Sequence, residues 1–258
     1  MITIKTPHQI ELMRHSGQIM KEIFVGLRDV IKPGITTKDI DYWVYDYIKS
    51  HGCKPSFLNY MGFPATVCTS VNDVIVHGIP DDYVLQEGDI VSVDVGVQYK
   101  GVHTDACRTY PVGKISQEAQ QLIDVTKQSF FEAIKGLKAG SFVGDIGAAV
   151  QNYVEPKGYS LVREMQGHGI GLSVHEDPGI PNFGKAGTGV QLRENMAICI
   201  EPMVNMGSRH IKISATDGWT CRTRDGKWAA HYENTLLITK TGVELMTLEE
   251  DEECQVSS

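Results

Sequence analysis

The sequence predicts an α+β fold of two similar halves, each a helix pair followed by a β-hairpin that carries acids. Three observations lead there. Val91, Val93, Val95 and Val97 alternate with Ser92, Asp94 and Gly96, the period of two of a strand with one apolar face. Apolar residues before this run, and again after it, recur at helical spacing. Two stretches of the first half reappear about 107 positions later.

Thr6-Pro7-His8-Gln9 opens the first helix, with Thr6 as N-cap, Pro7 at the first position and Gln9 closing a capping box. Ile10, Met13, Met20, Ile23, Leu27 and Val30 or Ile31 form its buried face, and Lys32-Pro33-Gly34 stops it. Thr36 and Thr37 open a second helix. Asp39 lies in its first turn, where the positive helix end favours an acid. Ile40, Val44, Tyr47 and Ile48 supply its buried face, and Gly52 ends it. Residues 57–77 read as loop and short strands, and 80–88 as a polar connection. The valine run then pairs with Val102-His103-Thr104-Asp105-Ala106-Cys107 across a turn near residues 98–101. That fold-back sets Asp105 opposite Asp94, or one diagonal step away, on the face turned from the valines.

After Pro111 the order repeats. Ser116 caps a third helix that carries Leu122, Val125, Ser129, Ala133 and Leu137 and ends at Lys138-Ala139-Gly140. A fourth helix runs around Asp145, Ile146, Ala149, Val150 and Tyr153 and ends by Gly158. Gly34 and Asp39 find counterparts in Gly140 and Asp145, 106 positions on; Leu85 and Asp94 find theirs in Leu192 and Glu201, 107 on. The expectation is one domain over residues 1–258, with internal repeats at about 6–113 and 116–248. The repeat calls for a second hairpin acid to match Asp105, and Glu233 in the strand-like run 231–238 is the candidate. Asp94, Asp105, Glu201 and Glu233 would then meet at the centre.

Bulk properties narrow the class. The chain has 258 residues, 41% hydrophobic and 22% charged, with a net charge of −8, which suits a globular protein with a sizeable core. The acidic balance offers no basic stripe for nucleic acid. No apolar run approaches the roughly 20 residues of a membrane span. Met1-Ile2-Thr3-Ile4-Lys5 carries no signal core. A soluble, cytoplasmic, monomeric protein without DNA or membrane partners is expected. Cys53, Cys68, Cys107, Cys199, Cys221 and Cys254 include no CxxC pair. Buried free thiols are therefore expected rather than a structural zinc site or a disulfide framework.

Two carboxylates as close as Asp94 and Asp105 repel, so one holds a proton or a cation sits between them. Four that converge in a partly buried cleft need compensating cations, and two divalent ions match four negative charges. A neutral nitrogen donor would favour a transition metal over calcium or magnesium. His168, in Gln166-Gly167-His168-Gly169-Ile170-Gly171, is the candidate, its glycines allowing close backbone approach. His77, after Val74-Ile75-Val76, and His175, seven on from His168, suit support of a ligand or contact with substrate. Each feature alone has a plainer reading: a lone strand aspartate faces solvent, and a lone Gly-His-Gly is a weak signal. The repeat and the histidine together favour the metal.

These residues, in this order, resemble the methionine aminopeptidases of metallopeptidase family M24, in their short bacterial-like type I form. The matching stretches are 91–108 with Asp94 and Asp105, Gly167-His168-Gly169-Ile170-Gly171 with His175, Ile200-Glu201-Pro202-Met203, and Tyr232-Glu233. Asn72-Asp73, His77-Gly78-Ile79-Pro80 and Asp217-Gly218-Trp219 also match. Only 32 positions separate Glu201 from Glu233, too few for the helical insertion of the type II enzymes. Neither a zinc-binding extension nor the extra N-terminal domain of the prolidases is expected. The resemblance implies the pita-bread fold, two pseudo-twofold-related halves around a dinuclear metal site. It implies Asp94, Asp105, His168, Glu201 and Glu233 as ligands of two divalent ions (Co, Mn, Fe(II) or Zn), with Asp105 and Glu233 bridging.

The activity so implied is hydrolytic removal of the N-terminal methionine from peptides and nascent polypeptides at the ribosome, favouring a small second residue. A metal-bridging hydroxide would attack the first peptide carbonyl. His77, His175 and Glu201 would be catalytic, Glu201 by passing a proton to the leaving amine. His77, His175, Tyr60, Phe63, Cys68 and Trp219 would contact substrate, the last four as walls of a methionine slot. For each aromatic, core packing is the competing reading. Phe57, Met61, Val174 and Asn234 depart from the commonest bacterial pattern, which touches the shape of the pocket and not the ligand set. Two rival readings remain: a metallopeptidase of the same fold acting ahead of proline, and an inactive pita-bread protein that binds ribosome or RNA. The second class loses metal ligands, whereas all five candidates stand here.

Overall fold

The computed structural model describes residues 1–253. Helix α1 spans Pro7–Val30 and α2 spans Thr37–Ser50. Strands β1 (Lys54–Pro55), β2 (Val67–Val71) and β3 (Val74–Val76) lead to the long hairpin β4 (Ile90–Tyr99) and β5 (Val102–Pro111). Helices α3 (Gln117–Ile134) and α4 (Val143–Val154) open the second half. Strands β6 (Ser160–Leu161), β7 (Gly167–Gly169), β8 (Glu176–Ile180), β9 (Ala197–Ile200) and β10 (Met203–Asn205) follow. Then come β11 (Ile211–Ile213), β12 (Cys221–Thr223), β13 (Ala229–His231), β14 (Glu233–Ile238) and β15 (Val243–Leu245), with a last turn of helix, α5, at Glu250–Glu253.

Local chemistry sets the helix ends as the sequence indicates. Thr6 Oγ1 accepts from Gln9 N–H while Gln9 Oε1 accepts from Thr6 N–H. Thr36 and Asp39 do the same at α2. The third helix stops sooner than its apolar spacing suggests. Lys135 leaves helical geometry and Gly136 takes a φ of +70°, so the chain turns before residue 138. Leu137 is still buried, but from the loop.

One sheet of nine strands runs β1-β4-β5-β14-β9-β7-β8, with β2 also on β4 and β15 also on β14; its registered pairings are antiparallel. The hairpin turn is Lys100-Gly101, both at positive φ, the two-residue turn whose twist matches the strands it joins. Helices α1 and α2 cover one side of the first half, where Ile23, Phe24, Leu27, Val44 and Ile48 pack on Val91, Val93, Val95 and Val97. Helices α3 and α4 cover the second half, where Leu122, Phe130, Ile146 and Val150 pack with Ile198, Ile200, Leu236 and Ile238.

Matching bonds recur in the two halves. Gly34 N–H donates to Leu85 O at 2.8 Å and Gly140 N–H to Leu192 O at 2.9 Å. Leu85 N–H returns to Ile35 O, and Leu192 N–H to Ser141 O, both at 2.8 Å. The two glycines have nearly the same φ, +95° and +98°, where a side chain is strained.

Candidate metal centre

The sheet register assembles the acids. Cys68, Asp94, Cys107 and Glu233 form one transverse row across β2, β4, β5 and β14, so all four side chains share a face. Asp105 pairs with Gly96, two residues past Asp94, and is therefore the diagonal neighbour of Asp94. Glu201 follows the last residue of β9, whose Ile200 pairs with Asn234.

The seam between the halves is fixed by two buried side chains. Thr235 Oγ1 accepts from Asp105 N–H and donates to Asp105 O, both at 2.8 Å. Arg108 donates to Glu233 O at 2.6 Å, to Asn234 Oδ1 at 2.8 Å and to Glu249 Oε2 at 2.5 Å. These bonds hold the backbones of Asp105 and Glu233 at a set separation. They also make Asn234 part of the seam, since its amide oxygen accepts from Thr247 Oγ1 as well.

His168 arrives between Gly167 and Gly169, where a Cβ would lie 2.3 Å from Cys199 O or 2.2 Å from Asp177 O. Only glycine permits that close strand approach. Its Nδ1 bonds Gly169 O at 2.9 Å, which puts the proton there and turns the bare Nε2 inward. Nε2 then lies 3.8 Å from Asp105 Oδ2 and 3.7 Å from Glu201 Oε1. Burial, with the neighbouring His175, pushes His168 down to about 3, so the ring is neutral at ordinary pH.

The carboxyls are pushed the other way. Burial first, then their mutual repulsion, holds Asp105, Glu201 and Glu233 well above the usual carboxylate range, and burial raises Asp94 as well. Asp94 Oδ1, Asp105 Oδ1 and Glu233 Oε1 are buried without a hydrogen-bond partner. Buried carboxylate oxygens left so are costly unless a cation meets them. Asp105, His168, Cys199 and Glu233 can present ligand atoms within 4.8 Å of one another, and so can Glu201, His231 and Glu233. The donor set of carboxylates with imidazole suits divalent transition ions. Cys199 is the exception within it: burial and the carboxylates push its thiol well up, and Sγ lies 3.4 Å from Thr235 Oγ1.

Above the acids is a cavity of about 360 Å³. Every site residue singled out in the sequence lines it: the four acids and His168, then His77 and His175, and Tyr60, Phe63, Cys68 and Trp219. His175 Nδ1 lies 3.0 Å from Tyr60 Oη, and the His168 and His175 rings are 4.3 Å apart. His77 has a φ of +58°, a strained value for a non-glycine residue and one that re-aims its ring into the cavity. Burial pushes it down to about 4. Trp219 meets Phe63 and His77 edge-on, and the turn that presents it is tied by Asp217 Oδ1, which accepts from Trp219 and Thr220 N–H.

Phe57 and Met61 also line the cavity, whereas Val174 is buried beneath it among Phe57, Phe63 and Cys68. The loop 171–176 is pinned from the N-terminus. Lys5 Nζ reaches Glu176 Oε2 at 2.9 Å in a buried pair, and Glu176 Oε1 accepts from Leu172 N–H at 2.8 Å. Cys53, Cys68, Cys107, Cys199 and Cys221 are buried free thiols; Cys254 lies outside the described residues.

Sequence reasoning misses His231. It is 2% exposed and lies on β13, with Nε2 3.5 Å from Glu201 Oε2. The available signal is its position two residues before Glu233, since residues i and i+2 of an extended chain share a face.

Comparison with known proteins agrees with this geometry. The profile described as "Metallopeptidase family M24" matches residues 11–240. The chain belongs to metallopeptidase family M24. A methionine aminopeptidase of Clostridium perfringens is 48% identical over 96% of this chain and 99% of its own. Methionine aminopeptidase 1 of Bacillus subtilis is 45% identical over 96% and 99%. The crystal structure of methionine aminopeptidase from Rickettsia prowazekii superposes with a TM-score of 0.94 at 41% identity, covering 96% of this chain and all of that one. A prolidase from Pyrococcus furiosus shares the fold at a TM-score of 0.78 and 23% identity, over 96% of this chain and 66% of that one. The fold is thus the pita-bread fold of M24, and the chain is a metal-dependent aminopeptidase. Among the described residues no helix is long and apolar enough to cross a membrane.

Proposed function

We propose that this M24 enzyme removes the N-terminal methionine from peptides and nascent polypeptides, favouring a small second residue. The observation that carries the reading is the cluster of four converging carboxylates and one neutral imidazole at the floor of an apolar-walled cavity. Asp94, Asp105, His168, Glu201 and Glu233 would hold two divalent ions. Such ions, when bound, supply an activated water near neutral pH and polarise the scissile carbonyl.

The chain's own residues do the rest. Tyr60, Phe63, Cys68 and Trp219 enclose the methionine side chain, whose burial contributes about 1.5–3 kcal/mol. With Tyr60 O–H donating to His175 Nδ1, the neutral ring keeps its proton on Nε2 and offers it to a substrate carbonyl oxygen. His77 offers a second donor and, with His175, narrows the space for the second residue. Glu201 takes the proton released by the attacking water and passes it to the leaving amine nitrogen. A slot of fixed size separates side chains differing by one methylene by only about 1–3 kcal/mol, so rejection of bulky second residues is steric. The whole chain acts as one catalytic domain with an internal repeat, and a cytoplasmic monomer suits its nascent-chain substrates.

Release of methionine from Met-Ala-Ser, compared with cleavage of Met-Pro-Gly and Ala-Pro-Gly, tests the assignment. Turnover of Met-Ala-Ser is expected. Cleavage of the Xaa-Pro peptides alone would overturn it in favour of an enzyme acting ahead of proline.

A further inference from the structure

Glu201 is flanked by an imidazole on each oxygen. Oε1 faces His168 Nε2 at 3.7 Å, and Oε2 faces His231 Nε2 at 3.5 Å. His231 Nε2 also lies 3.9 Å from Glu233 Oε2, against 3.8 Å between His168 Nε2 and Asp105 Oδ2. The two histidines therefore stand to the carboxylates at nearly the same distances. None of these separations is a hydrogen bond, and His231 Nε2 is buried with no hydrogen-bond partner. Ligand atoms about 2.1 Å from a common ion lie roughly 3–3.6 Å apart, so a shift of a few tenths of an ångström seats an ion among these groups.

The backbone holds His231 for this placement. Its N–H donates to Thr109 Oγ1 at 3.1 Å, and its carbonyl accepts from the same hydroxyl at 2.8 Å. It pairs across β13–β10 with Met203, two residues from Glu201. Its backbone is thus clamped by both neighbouring strands. A buried imidazole nitrogen and two carboxylate oxygens face one another there, a grouping that favours a divalent transition ion over calcium or magnesium.

We propose that His231 is a metal ligand, a second imidazole that forms a Glu201–His231–Glu233 group beside the Asp105–His168–Glu233 group. The centre then carries the four acids and His168 plus this sixth ligand, with one imidazole for each of two ions. The proposal rests on the metal reading of the same cluster.

Paramagnetic proton NMR of the full chain, titrated anaerobically with Co(II), tests it. An imidazole bound through Nε2 shows its Nδ1–H as an exchangeable, strongly shifted resonance. Two such resonances are expected in the unmodified protein at two equivalents of Co(II). His231→Gln should lose one of them, His168→Asn the other. Calorimetry should show the weaker Co(II) equivalent of His231→Gln loosened about 10- to 100-fold, the range for lost support at a metal site. A single resonance in the unmodified protein, or two retained in His231→Gln, would overturn the role of His231 while leaving the metal reading intact. Absence of any stoichiometric Co(II) binding would instead overturn the metal reading itself. Should His231→Gln fail to fold by circular dichroism, the count of resonances in the unmodified protein decides alone.

Discussion

In the N-terminal half, the strand bearing the first acid and the strand bearing the second are joined by two residues, Lys100 and Gly101. In the C-terminal half, the equivalent strands β9 and β14 are separated by a 32-residue excursion, from 201 to 232. The loop bonds of Gly34 and Gly140 match between halves, as do the bonds that Asp39 and Asp145 accept from the residue three before them, yet the chemistry does not. The tight hairpin gives two aspartates. The longer connection gives two glutamates, with Trp219 and His231 from within the excursion and His168 from the strand beside β9. The two halves therefore share these loop bonds, while the imidazoles nearest the acids, His168 and His231, both lie in the second half.

The two halves are tested most severely at the centre. Asp105→Ala and Glu233→Ala are each expected to lower kcat/KM for Met-Ala-Ser on the order of a thousandfold, the rate equivalent of about 4 kcal/mol. Asp105→Ala combined with His168→Ala should leave no measurable release. Equal losses from the two acids would mean both halves hold the ions alike; undiminished release by the double variant would sink the metal mechanism.

The seam comes next. Glu249→Ala removes the carboxylate beside Arg108, whose guanidinium is 5% exposed and grips the carbonyl of Glu233. Denaturant unfolding should show a loss of about 3 kcal/mol. A loss under about 1 kcal/mol, the range of an exposed pair, would mean that the halves are held by their strands without this pin.

Gly34→Ala and Gly140→Ala probe the scaffold where the halves match. A Cβ at either position meets no atom within 4 Å, so the cost is backbone strain alone. Each should lower stability by about 1 kcal/mol, and by the same amount. Unequal losses would limit the equivalence to the hydrogen bonds.

His103 lies on β5, in the half without a ligand imidazole, bonded to Ser56 Oγ at 2.9 Å and to Gln98 at 3.1 Å. Burial pushes it down to about 4 from an ordinary 6.5. The unfolded chain therefore binds a proton that the folded chain refuses between those values, and stability falls as pH drops from 6.5 to 4. His103→Gln should flatten the fall of Tm across that window. An unchanged slope would place the acid sensitivity on the other buried histidines.

The period of two in 91–97 locates Asp94 because a strand with one valine face has only one other face to offer. The offsets of 106 and 107 locate Glu201, and point on to Glu233, because Gly34 and Gly140 stand in matching turns and Asp39 and Asp145 in matching caps. The same kind of reading overruns the end of α3, since apolar spacing continues through Leu137 while Gly136 breaks the backbone first. The choice of Asp105 Oδ2 and Glu201 as neighbours of His168 is not legible, since it depends on β7 pairing with β9, a contact between strands far apart in sequence. His231 escapes for the same reason: its placement is defined by Thr109, on a strand more than a hundred residues earlier.

The buried Lys5–Glu176 pair ties the first residues of the chain to the loop that carries His175. Glu176 adjoins His175, and its carboxylate also braces the turn at Leu172 and Ser173. Trimming the chain through Lys5 would remove the cation that seats this loop. A shortened form would then differ from the full chain in second-residue preference, although every metal ligand was intact.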